Sequence, residues 1–131
     1  MTKSKAPPLT LAIEPHDDYM VVTCQGHSSC DNCVETIYRP ILSLLEDSQC
    51  SALIIDKRGI ECTREKKSLS AVAETILLYK HRSLLRKLAI VTAVAYTKEE
   101  ILLQKILFDK GLNIRIFAEL EAARAWALAF P

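Results

Sequence analysis

Apolar and polar positions alternate from Leu9 to Glu14 (LTLAIE), the period-two pattern of a half-buried strand. Pro15, Asp17 and Asp18 supply turn chemistry, and Tyr19 to Gly26 (YMVVTCQG) reads as a second strand closing an antiparallel hairpin. A helix is predicted from about Cys30 to Glu46, with Val34, Ile37, Ile41, Leu44 and Leu45 on its inner face. Pro40 should kink or divide it, since proline has no N–H to give to the preceding turn. SALIIDKRG is a short apolar strand expected to end at Asp56, with Gly59 in the loop beyond it. Thr63 is placed to cap the next helix, whose inner stripe is Leu69, Val72, Ala73, Ile76 and Leu77.

KLAIVTAV is a nearly continuous apolar run, as in a strand buried on both faces. Thr97 and Glu100 fit a capping box that starts a helix to Lys110, and Gly111 is suited to stop it. NIRIF is the last strand. Leu120, Ala123, Trp126 or Ala127, and Phe130 then recur at helical spacing. The predicted order is β-β-α-β-α-β-α-β-α: an α/β fold with one mostly parallel five-stranded sheet, one antiparallel strand and covering helices. Residues 1–8 are expected to be a flexible tail and residues 9–131 a single domain. The helix after the fourth strand carries Ile101, Leu102, Leu103, Ile106, Leu107 and Phe108, more apolar surface than one buried stripe needs. Leu102, Leu103, Ile106 and Phe108 are therefore candidate interface residues, pointing first to a homodimer and second to a small apolar ligand.

This element order resembles the SpoIIAA-like fold family, which contains the STAS domains, the anti-sigma-factor antagonists and many small uncharacterised bacterial proteins. The likeness to the last group is the closer. It is carried by RPILSLL with its mid-helix proline, LIIDKRG, RKLAIVTA, and the ending IRIF followed by Glu119, Glu121, Ala122 or Ala123, and Trp126. The resemblance implies the fold and says little about activity. In the antagonists a phosphorylatable serine lies in an Asp-Ser-Ser/Thr-Gly loop at the start of the helix after the third strand. Here that stretch reads DKRGIECTREKK: Asp56 fits the strand end, no Asp-Ser-Gly follows, and Thr63 is the only hydroxyl in reach. A helix N-terminus would stabilise a phosphate on Thr63, although an ordinary N-cap explains the residue as well.

Composition narrows the function classes. Half of the 131 residues are apolar, a quarter are charged, and the formal net charge is +1. No strong field would gather nucleic acid, and the basic clusters REKK and KHRSLLRK are interrupted. No apolar run reaches the ~18 residues of a membrane span, and no secretory signal is evident at the N-terminus. Five cysteines, an odd number, suggest free thiols and a cytoplasmic setting.

Cys30 and Cys33 (SSCDNC) open the first helix, where the helix dipole can favour thiolate and a second thiol can resolve a mixed disulfide. The proline that thioredoxin-like folds place before a later strand is missing, so small helix-opening residues are the simpler reading. His27, Cys30 and Cys33 would make an incomplete zinc set; no metal or cofactor is expected. Cys24 and Cys50 read as small core or edge residues. Three glycines cannot build a phosphate loop, and no Gly-x-Ser-x-Gly or His-Glu-x-x-His occurs. Asp56, Lys57, Arg58 and Gly59, at the carboxyl end of a strand, form a candidate binding loop for a small anion or a partner's charge. The chain thus reads as a non-enzymatic regulatory or binding module for a protein partner or small apolar ligand. Alternatives are a thiol redox protein using Cys30 and Cys33, or a phosphorylation-controlled antagonist using Thr63.

Overall fold

The structure is a computed structural model that describes residues 9–29, 34–63, 69–93 and 98–129. Five strands form one sheet in sequential order: β1 (Thr10–Pro15), β2 (Tyr19–Ser29), β3 (Ala52–Thr63), β4 (Lys87–Val91) and β5 (Asn113–Phe117). β1 is antiparallel to β2, and the other neighbours pair in parallel. α1 (Arg39–Ser43), α2 (Leu69–His81) and α3 (Lys98–Asp109) connect the parallel strands, and α4 (Leu120–Leu128) follows β5. The element order, the mixed sheet and its helical cover are those expected from the sequence.

Each crossover steps to the next strand in the same direction, so helices turning with one hand all fall on one face. There Ile41, Leu42, Leu45, Ile76 and Leu107 pack against Val22, Leu53, Ile55, Leu88, Ile90 and Ile116. The alternate residues of the same strands, Val21, Ile54, Ala89 and Val91, meet Ala123, Leu120 and Trp126 of α4 on the other face. β4 is buried along its whole length, which is why its sequence shows no alternation. Among the described residues no helix is long and apolar enough to cross a membrane.

Pro40 does divide the first helical segment. A wide π turn (Val34–Tyr38) precedes α1, which carries Pro40 in its first turn, and a tight 3-10 turn (Leu44–Asp47) follows. A regular α ladder cannot run through a residue without an N–H. Strand boundaries differ from expectation, and β2 runs past Gly26 to Ser29. β3 does not stop at Asp56 but continues to Thr63, paired with β2 as far as Ser29 and Thr63. Thr63 is therefore the end of a strand, and α2 is described from Leu69; its expected role as a helix cap lies outside the described side chains. The capping box at Thr97 and Glu100 lies outside the residues and side chains described.

α3 ends as its glycine predicts. Gly111 has φ of 93°, and the N–H groups of Gly111 and Leu112 donate to the carbonyls of Phe108 and Leu107, both at 3.0 Å. This is a Schellman turn, and its paired apolar residues, Leu107 and Leu112, are fully buried. A Cβ on Gly111 would meet nothing within 4 Å, so only the left-handed backbone opposes a side chain. Gly111→Ala is expected to cost about 1 kcal/mol, read as a small drop in thermal midpoint with an unchanged far-UV spectrum.

Candidate functional site

The four residues expected to form a binding loop sit inside β3. Thr23 pairs with Asp56 but Gln25 pairs with Gly59, so Lys57 and Arg58 together face Cys24 across a β-bulge. A Cβ on Gly59 would lie 2.9 Å from the Cys24 carbonyl oxygen and from Cγ of Gln25; glycine lets the two backbones approach this closely.

Their charges are already engaged. Asp56 is buried, and Arg58 donates to it through Nε (2.9 Å), Nη2 (2.7 Å) and its own backbone N–H (3.1 Å). Burial pushes the Asp56 carboxyl up, but the Arg58 hydrogen bonds and charge together outweigh it and hold the carboxyl below its ordinary range. Lys57 donates to the Tyr38 hydroxyl at 3.3 Å, with its Nζ 5.5 Å from the ring centroid. The tetrad is a bulge within a strand rather than the open loop expected, and Asp56, Lys57 and Arg58 each already hold a partner there.

The thiols divide similarly. Cys30 and Cys33 lie outside the described residues. Cys24 and Cys50 are buried, as their reading as core residues required. Burial pushes the Cys24 thiol up to about 11, leaving it protonated and a poor nucleophile at neutral pH. Among the described residues no three histidine, cysteine or acidic side chains are grouped to hold a metal.

A second cluster fastens the hairpin to α4. Arg124 Nη1 donates to Glu14 Oε2 at 3.1 Å and to the Tyr19 hydroxyl at 3.2 Å, while His16 Nε2 meets the same Glu14 oxygen at 2.6 Å. His16 lies flat on Tyr19, with ring centroids 4.2 Å apart. The hydrogen bonds from His16 and then Arg124 hold the exposed Glu14 carboxyl below its usual range.

α3 presents the widest surface question. Of the four expected interface residues, Leu103 is buried in the core and Ile106 packs partly against it, whereas Leu102 and Phe108 are exposed. Leu103 is thus corrected to a core-facing position on the helix side of Leu107, while Ile106 stands between core and surface. Ile101, half exposed, joins Phe108, which is 65 % exposed, seven residues on and on the same side of the helix. These two, with Gln104 and Lys105 of α3, Asn113, Ile114 and Arg115 of β5 and Trp126 of α4, line an open groove of about 560 Å³. It runs across the β5 edge of the sheet. Sequence reasoning missed its β5 and α4 walls. The available signal was Arg115 between two isoleucines, the mark of a strand with one wet face.

A sequential five-stranded mixed sheet with three helices on one face and one on the other is the SpoIIAA-like, or STAS, architecture. Solved structures with it include an anti-sigma factor antagonist from Mycobacterium paratuberculosis, with a TM-score of 0.59 and 17 % identity over 93 % of this chain and 96 % of that one. Another is an uncharacterised DUF3478-family protein with a SpoIIAA-like fold from Shewanella loihica, with a TM-score of 0.55 and 16 % identity over 97 % and 98 % of the two chains. At such identities the likeness is one of fold. Neither a protein-family model nor a curated protein matches the sequence.

Proposed function

We propose that the chain is a non-catalytic binding module that engages a protein partner through the α3–β5–α4 groove. The observation that carries this reading is the exposure of Ile101 and Phe108 beside Trp126, three large apolar side chains collected around one open depression. The described groups best suited to chemistry are elsewhere and occupied: Asp56 with Arg58, Lys57 with Tyr38, and Cys24 in the core. An open groove also favours a polypeptide over a small apolar molecule, which would need a pocket enclosing most of its surface.

The test is comparative. The native chain and an Ile101→Asp/Phe108→Asp variant, both checked for native circular dichroism, are used as bait in extract of the source cell. A defined partner identified by mass spectrometry should be retained by the native chain and lost by the variant, since truncating central apolar anchors costs about 2 kcal/mol or more each. Identical partner sets for both would place the binding surface elsewhere.

A further inference from the structure

We infer that the groove takes an acidic segment of its partner, in which bulky apolar side chains are set among carboxylates. This rests on the binding-module reading and adds the partner's chemistry to it. Among the described residues the lining includes two cations, Lys105 and Arg115, and no carboxylate. Lys105 lies on the α3 side that bears Ile101 and Phe108, and Arg115 is exposed on β5. Among the described residues neither cation makes an ion pair, in contrast to Arg58 and Arg124, which are held by acids on their own or a neighbouring element. Apolar anchors between unneutralised cations match a segment that alternates apolar and acidic side chains.

A further unmet demand lies in the same wall. Gln104 Oε1 is buried without a hydrogen-bond partner among the described residues. A buried acceptor left unpaired is costly, and the Gln104 amide would have to turn outward into the groove for a donor of an incoming segment to reach it.

The same charges disfavour a second copy of this chain as occupant. A two-fold contact sets each patch against itself, which would bring Lys105 and Arg115 towards their own counterparts. Complementary charge is better supplied by a different chain.

Trp126 is the single tryptophan of the sequence and lines the groove, so its emission reports occupancy directly. Three blocked peptides of one length are titrated into the intact protein, each with Leu and Phe set among glutamates, glutamines or lysines. The glutamate peptide should shift Trp126 emission saturably below about 1 mM and bind more weakly as salt rises. Lys105→Glu/Arg115→Glu, both exposed positions, should weaken it by about tenfold or more and confer binding of the lysine peptide. A glutamine peptide that binds as tightly as the glutamate peptide overturns the acidic inference and leaves the binding-module reading standing. Equal responses to decanoate, or light scattering that shows a dimer dissolved by Phe108→Asp, would give the groove to a small ligand or a second copy and overturn it too. Silence with all three peptides also overturns it, while the bait comparison decides the broader reading separately.

Discussion

Replacing Arg58 with alanine is expected to lower stability near pH 7 by about 3 kcal/mol, and most of that deficit should vanish on acidification. The two partners of this pair stand in different surroundings: the Asp56 side chain is 6 % exposed and that of Arg58 41 %. Loss of Arg58 strands an ionised carboxylate in the protein, whereas loss of Asp56 leaves a guanidinium that can turn to water. Asp56→Ala should therefore cost less, about 1 kcal/mol.

The pH dependence follows with opposite signs in the two proteins. In the native protein the Asp56 carboxyl is held below its ordinary value of 3.8, so its contribution is present above that value and lost as pH falls through the lower folded one. Without the Arg58 side chain, burial outweighs the backbone N–H bond that remains, the folded value rises above the unfolded one, and protonation relieves the cost. The gap between native and variant, measured by urea unfolding across pH, should close as pH falls towards about 3. A gap constant across that window would mean that the pair does not act through charge.

The second large effect is expected at Lys87, a buried lysine at the start of β4. Its Nζ donates to the carbonyls of Trp126 at 2.9 Å and Ala129 at 2.6 Å, and lies 5.2 Å from the Trp126 ring centroid. These are carbonyls at the end of α4, where a positive charge also meets the negative end of the helix dipole. Lys87→Met keeps much of the length and removes the donors, at an expected cost of about 2 kcal/mol. The loss should be local: amides at the end of α4 should exchange faster, and Trp126 emission should move to the red. A variant with native stability and emission would reduce this lysine to a passive neighbour.

Most of the fold was legible because the core uses simple periodicities. Alternation in LTLAIE, the unbroken KLAIV and the glycine after α3 each reflect one local rule, and each element is where that rule puts it. β1 is nonetheless less buried than its alternation suggests: Ile13 is exposed, and only Leu9 and Leu11 of this stretch pack partly against the core. The end of β3 was not legible. Asp, Lys, Arg and Gly in succession resemble a turn, yet here Arg58 neutralises Asp56 and Gly59 admits the neighbouring backbone, so a polar run continues as strand. The candidate interface was half legible: six apolar residues on one helix announce excess apolar surface, but only packing decides that Leu103 turns inward and Phe108 outward. Lys105, Arg115 and Trp126 come from three elements, and no local pattern announces their meeting.

Sequential strand order also bears on how the molecule assembles. Every strand after β1 pairs with the one before it in the chain, so each pairing closes only its own turn or helical crossover before the sheet can grow. A chain leaving the ribosome can therefore add each strand to an existing edge as soon as it appears. α4 comes late in that schedule, and with it the Arg124–Glu14 contact that joins the two ends of the growing structure. Until then β5's forerunners each serve briefly as an open rim, which makes the interval before α4 docks the period of greatest exposure to mispairing with other chains.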